Sequence, residues 1–413
     1  MASNTSGSPD GDPVDVLVAG AGPGGSAVAT LLALAGARVT LLDRAAFPRD
    51  KACSEYMSPE AVRLLDRLGV VTALEAAGAA ALEGTAVTAP GGARLHGAFA
   101  RAGHRPFRPT GLSVSRRVLD AELVRAARDA GAEVLERTAL EHLLYDRGAV
   151  AGAVVRDREG RRRTLRARLT VGADGLRSVV ARRLGRRRHG RPRRVAFVAH
   201  LDDVEGMGTS AEMHVGTDGY VGLNPIGRGR TNVALVVPAS AAASASGRAE
   251  AFFLERVSRL PAIAARLERA SVARRVLATG PFAAWSGRVT ADGAALVGDA
   301  ADFFDPFTGE GIYCALRGAE LLSEHALVAL ESPRPVAAAR LRGYRRARRR
   351  AFAGKWAVER LVGYAMEFPQ LFDRAVGRLG RRAGMADTFI GVTGDFVPAR
   401  AVLNPLFLAR MVL

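Results

Sequence analysis

The sequence predicts an α/β fold in three parts: a βαβ-based domain, a β-sheet domain and a helical C-terminal region. Three observations carry that expectation. A glycine-rich turn joins two short apolar runs near the start of the chain. Residues 195–237 read as strands broken by turn signals. From about residue 309 nearly everything reads as helix. The 413 residues suffice for two or three packed domains with a large core.

Residues 1–13 are polar and rich in Gly, Ser and Pro, and predict a disordered tail without the basic start and apolar stretch of a signal peptide. Residues 15–19 form a short apolar run, as a buried strand does. A helix-length apolar stretch covers 23–35, and a second buried strand covers 37–42, ending at Asp43. Ser58 can cap a helix that Pro59 opens. Short strands are expected over 82–112, and a helix over 116–130 that Gly131 closes. Residues 239–247 are a low-complexity connector.

Gly20-Ala21-Gly22-Pro23-Gly24-Gly25 fits GxGxxG at Gly20, Gly22 and Gly25. The first glycine permits a tight turn, the second lets backbone approach a pyrophosphate, and the third lets the helix pack on the strand. The helix N-terminus supplies N–H donors for phosphate. Asp43, 23 residues after Gly20, can accept both hydroxyls of an adenosine ribose. The strand before and the helix after satisfy the context the motif requires, so a dinucleotide site outweighs a structural turn. The loop alone does not choose between FAD and NAD.

Two later motifs choose. Val171-Gly172-Ala173-Asp174-Gly175 closes a strand and opens a helix. Val297-Gly298-Asp299 is followed by Asp305-Pro306-Phe307-Thr308-Gly309-Glu310-Gly311-Ile312. These segments resemble FAD-dependent oxidoreductases of the para-hydroxybenzoate hydroxylase fold. The resemblance implies a discontinuous FAD-binding Rossmann-type domain over 14–80, 111–189 and 279–330. A substrate-binding β-sheet domain would cover 81–110 and 190–278, and a helical region 331–413. It places Asp174 and Gly175 near the FAD pyrophosphate and the nicotinamide path. Asp299, beside Gly298, would meet the ribityl chain. Arg116 would contact the phosphate or ribose region, with Arg44 also on the cofactor. Pro306, Gly309, Gly311 and Ile312 would bring backbone and a helix N-terminus to the flavin ring, favouring a negatively charged reduced flavin. Helix capping is the structural alternative for Asp174 and Asp299.

The stretch 47–59, with Lys51, Cys53, Ser54 and Ser58-Pro59, resembles the geranylgeranyl reductase-like branch of that fold. The resemblance puts Cys53 near the flavin. The residues leave two readings open, an active-site thiol or a small packing residue. Ser54 replaces the branch's usual glycine, which raises the question of a left-handed backbone there. Tyr220, Gly222 and Asn224 stand where reductases of the branch carry Y-x-W-x-F-P. Gly222 should open space and Asn224 add a donor and an acceptor, as a bulkier or more polar substrate needs. Halogenases of the fold need a lysine roughly 60 residues beyond the loop; the lysines here are Lys51 and Lys355, and 80–90 holds none, so halogenation is rejected.

Composition limits the remainder. The net charge is +18, but with two lysines among 59 basic residues it is an arginine bias, spread along the chain. Aromatics are 6%, against the clustered basic and aromatic residues of a nucleic-acid binder, so nucleic acid is not expected. Two cysteines build no disulfide framework, and the seven histidines show no metal spacing, so no metal is expected and the cytoplasm is. His200 and His214 are expected to be structural. The run 340–350 is a solvated face, or else meets an acidic carrier protein or a membrane. The apolar C-terminal stretch packs in the core, covers the substrate cavity or touches lipid. The expected activity is that of an NAD(P)H- and O₂-dependent monooxygenase. Its substrate would be small, hydrophobic or aromatic, of polyketide-like type. Saturation of isoprenoid double bonds is the alternative: Cys53 favours the reductase, Gly222 and Asn224 the monooxygenase.

Overall fold

A computed structural model describes residues 13–185, 187–332 and 335–412. The tail expected over 1–13 lies, but for Pro13, outside the described residues. The first strand, Val14–Ala19, pairs in parallel with Val39–Leu42 on one side and Arg162–Gly172 on the other. Ala294–Leu296 and Glu133–Leu135 extend the same sheet in parallel. Val39–Leu42, Ala294–Leu296 and the last four residues of Val14–Ala19 and of Arg162–Gly172 are buried, as a parallel sheet covered by helices requires. Helix Pro23–Leu34 packs against the long helix Gly311–Ala329 and against Arg116–Asp129. A hairpin, Ala139–Asp146 with Ala149–Arg156, pairs antiparallel with the early half of Arg162–Gly172.

The second sheet has seven strands. Their order is Ser271–Thr279, Arg194–Asp202, Arg230–Pro238, Gly219–Pro225, Ser210–Gly216, Gly84–Thr88 and Arg94–Ala98. Only Ser210–Gly216 and Gly84–Thr88 pair in parallel. One face rests on helix Ala249–Val257, where Phe197, Val221, Val233 and Phe253 pack together. The other face looks toward the first sheet's strand ends.

The C-terminal region is helical, with Arg342–Ala365, Pro369–Gly380, Ala383–Thr393 and Pro405–Val412. Part of its apolar surface is core: Ile390 and Val392 are buried with Leu95 and Phe99. A Cβ at Gly97 would stand 2.5 Å from Ile390 Cγ1, so only glycine lets the helix lie this close. The connector 239–247 folds into two short helical pieces, Ala239–Ala242 and Ala243–Ala245. No helix among the described residues is long and apolar enough to cross a membrane.

Candidate functional site

The C-terminal ends of the parallel strands coincide. Ala19 pairs with both Gly172 and Leu42, Gly172 with Leu296, and Leu42 with Leu135. Gly20, Asp43, Asp174 and Asp299 therefore leave the sheet along one edge, although 279 residues separate the first from the last. That edge is where open α/β sheets bind ligands. A cavity of about 430 Å³ opens there and runs on beneath the second sheet.

The glycine loop forms its floor. Gly20 has φ +99, and a Cβ on Gly25 would stand 1.8 Å from Gly20 O. Gly22 lines the cavity, and above it lie two cations: Arg116 Nη2 and Arg49 Nη2 stand 3.7 and 3.9 Å from where its Cβ would be. Arg116 is held by Asp120 through two bonds of 2.8 and 2.9 Å. Lys51 also lines the cavity; burial and then the like charge of Arg116 lower its pKa. A cavity floor of free backbone N–H groups with crowded cations calls for an anion, and the FAD diphosphate answers that need.

Asp43 stands just outside the cavity wall and braces the loop: Ala21 N donates to Oδ2 at 2.9 Å and Ala45 N to Oδ1 at 2.8 Å. Arg44 lines the mouth. Asp174 caps, as the structural alternative held, with Oδ2 accepting from Val179 N at 2.6 Å and from Val180 N at 3.3 Å. Its Oδ1 is buried without a partner, and burial raises its pKa despite those bonds. Gly175, at φ +79, lines the cavity beside it. Asp299 does not cap by side chain and lines the cavity with Gly298; burial raises its pKa while Lys51 and Arg116 pull it down. A hydroxyl-rich chain laid between Asp174 and Asp299 would give both carboxylates donors.

Pro306, Gly309, Gly311 and Ile312 line the next stretch of wall. Gly309 has φ +73, and a Cβ there would lie 2.9 Å from Tyr56 Cδ1, so ring packing as well as cofactor access demands glycine. Glu310 sits at the N-cap of helix Gly311–Ala329 and accepts from Ser58 Oγ at 3.1 Å. Burial, only partly offset by Lys355, raises it well above the usual carboxylate range. The raised pKa weakens the opposition of its charge to the helix dipole that points toward the cavity.

Under the second sheet the wall turns apolar, with Ala196, Val198, Met213, Ala234, Val236 and Phe282. Two expectations change here. Gly222 lines the cavity, and a Cβ there would be 3.5 Å from Met213 Cε, so a flexible methionine borders the space that the missing aromatic was expected to open. Asn224 spends its donor on Ser54 O at 2.9 Å, which leaves only Oδ1 without a partner. Tyr220 OH donates to Asp305 Oδ1 at 2.7 Å. The left-handed residue near Cys53 is Glu55, φ +62, and not Ser54. Cys53 lines the cavity and its Sγ accepts from Glu55 N at 3.4 Å.

Residues 13–354 match the FAD binding domain family. The chain belongs to that family. The flavoprotein is 30% identical over 336 residues to a menaquinone reductase of Mycolicibacterium smegmatis, covering 75% of each chain. It is 29% identical over 381 residues to conditioned medium factor receptor 1 of Dictyostelium discoideum, covering 89% of this chain and 74% of the other. It is 28% identical over 331 residues to a digeranylgeranylglycerophospholipid reductase of Methanosarcina mazei, covering 78% and 77%. Among solved structures, it matches the myxobacterial chondrochloren halogenase with TM-score 0.79 and 26% identity, over 86% of this chain and 83% of that one. It is a FAD-dependent oxidoreductase of the geranylgeranyl reductase-like type.

Several site residues escaped the sequence. Lys51 reaches the cofactor end of the cavity, whereas Lys355 is buried on Asp395 at 2.7 Å and lies away from it. Glu212 lines the cavity; burial alone would raise it, but His214 and Arg266 hold it at about 2. His214 thus serves Glu212, and His200 Nε2 bonds Glu55 Oε2 at 2.8 Å; neither lines the cavity. Cross-strand partners of this kind leave no mark in local sequence.

Proposed function

We propose that the flavoprotein saturates carbon–carbon double bonds of a long apolar, isoprenoid-type substrate. The observation that carries this reading is the wall under the second sheet: alanine, valine, methionine and phenylalanine, with the nearby polar groups tied to protein partners. That wall suits a hydrocarbon chain, which gains from leaving water and asks for no hydrogen bonds. The names of the Mycolicibacterium and Methanosarcina relatives support a reductase of a quinone or lipid. Bound FAD would supply the hydride equivalents, and NAD(P)H would replenish them. Cys53, at the rim, would hold the proton that completes the saturated bond. Phe282, Phe303 and Phe307 would keep water from the reacting carbons.

The unpartnered Asn224 Oδ1 supports the second reading, a monooxygenase on an aromatic substrate with a hydroxyl to donate. One experiment separates them. The holoenzyme, reduced by NADPH without oxygen, is given menaquinone or a geranylgeranyl lipid, and products are read by mass spectrometry. Gain of hydrogen pairs is expected. Turnover only with oxygen, and gain of an oxygen atom by a phenol, would overturn the reductase reading.

We also propose a lipid surface as the source of substrate. Leu361, Tyr364, Phe368, Leu371 and Leu406 stand exposed on the C-terminal helices, and arginines 374, 381, 382, 400 and 410 are exposed on the same region. Apolar anchors beside cations are the chemistry of an interfacial contact with anionic lipid. The exposed face of Arg345, Arg346 and Arg349 also supports an acidic carrier protein.

A further inference from the structure

Beside the alanines and valines of the second sheet's cavity face, one polar row crosses three adjacent strands. His200 pairs with Asn232, and Asn232 with Asn224. These three share strand parity with the cavity-lining Ala196, Val198, Ala234, Val236 and Gly222, so they point the same way. All three are buried. An apolar face gains nothing from such a row unless it holds something.

What it holds is the segment Cys53-Ser54-Glu55. Cys53 O accepts from Asn232 Nδ2 at 2.8 Å, and Ser54 O from Asn224 Nδ2 at 2.9 Å. Glu55 O accepts from Ser113 Oγ at 2.9 Å. Three successive carbonyls are thus each fixed by a side chain. Glu55 turns left-handed at φ +62, a conformation that side chains avoid. Its carboxylate, 1% exposed, collects three more donors. Oε2 accepts from Asn232 Nδ2 and His200 Nε2, both at 2.8 Å. Oε1 accepts at 2.8 Å from Arg116 N, which opens helix Arg116–Asp129, where Ser115 provides no side-chain cap. The side chain of the same Arg116 lines the cavity, as Cys53 does.

We infer that Glu55 is a positioning residue for Cys53: its carboxylate ties the Cys53 segment to the substrate sheet through His200 and Asn232, and to the cofactor side through Arg116. The thiol is thereby fixed at the cavity rim, and strands that carry substrate and the loop that carries the thiol move together. The inference rests on the proposed function only in giving the thiol a task, so its test reads the thiol directly.

The test uses purified holoenzyme of the parent, Glu55→Gln, His200→Leu and His200→Gln. Alkylation of Cys53 by iodoacetamide is followed by peptide mass spectrometry from pH 6 to 9, alongside FAD content and melting temperature. Glu55→Gln and His200→Leu are expected to change the Cys53 rate at least fivefold and move its pH profile, with FAD retained. His200→Gln, which keeps an N–H donor, is expected to restore the parent rate. An unchanged Cys53 rate and pH profile in the leucine variant would overturn the inference, even with a lowered melting temperature. If Glu55→Gln does not fold, the two His200 variants decide alone. A changed thiol rate with unchanged anaerobic turnover upholds the positioning role and removes Cys53 from the reaction.

Discussion

Single residues set the cofactor end of the cavity. Gly25 packs so tightly on Gly20 O that one added carbon has no room. Gly25→Ala is expected to cost at least tenfold in bound FAD, read from flavin absorbance per protein; full flavin content would contradict the close-approach argument. Tyr220 loses less. Asp305 keeps Arg194 at 2.7 Å and Phe307 N at 3.0 Å when the tyrosine hydroxyl goes. Tyr220→Phe should therefore destabilise by only about 1 kcal/mol in urea titrations. The glycines, their spacing and Asp43 were legible because turn chemistry is local. The Glu55 backbone was not: the sequence raised the question of a left-handed residue only at position 54, and bonds from strands far along the chain hold it at 55.

At the scale of elements, caps and periods behaved as local chemistry dictates. Ser58 accepts from Ala61 N at 3.3 Å and Pro59 opens the helix, while Ser178 does the same for Val179–Arg183. The helix Arg342–Ala365 divides its arginines: Arg348 is buried on Asp302 and the others named above face solvent. Reversing Arg345, Arg346 and Arg349 to glutamate should slow turnover of a carrier-tethered substrate and leave free substrate unaffected. Equal slowing of both would remove the carrier proposal. The C-terminal helices carry the other surface. Tyr364→Asp with Phe368→Asp should cut sedimentation with phosphatidylglycerol vesicles severalfold without changing FAD content. Unaltered sedimentation would assign those side chains no lipid contact.

The whole molecule buries a cluster that neither sheet explains alone. Lys355 meets Asp395 at 2.7 Å and Glu359 at 3.6 Å, and it joins the helix Arg342–Ala365 to the turn after Ala383–Thr393. Burial, with Asp395 adding to it, pushes Glu359 up to about 7, Lys355 offsetting part. A folded-state value above the ordinary 4.5 means that the native state binds the proton more tightly. The stability this contributes is complete below about pH 4.5 and is lost as pH rises through 7. Glu359→Gln should remove that slope, worth up to about 3 kcal/mol, from denaturation curves between pH 5 and 8. Parallel curves for parent and variant would show that the carboxyl titrates normally.

The sequence by itself determined the cofactor class, the order of sheet and helix, and the cavity's glycine-built floor. Each rests on patterns a few residues long: a period, a cap, a turn that only glycine makes. Tertiary structure alone decided which polar groups stay free. Asn224 met Ser54 across 170 residues, and His200 met Glu55 across 145. Met213, on the neighbouring strand, bordered the place beside Gly222. Those pairings moved the reading from an oxygen-inserting enzyme with a polar pocket toward a reductase with an apolar one. Hydrogen-bond partners and packing volume are properties of strands brought side by side, and no local window of sequence contains both sides.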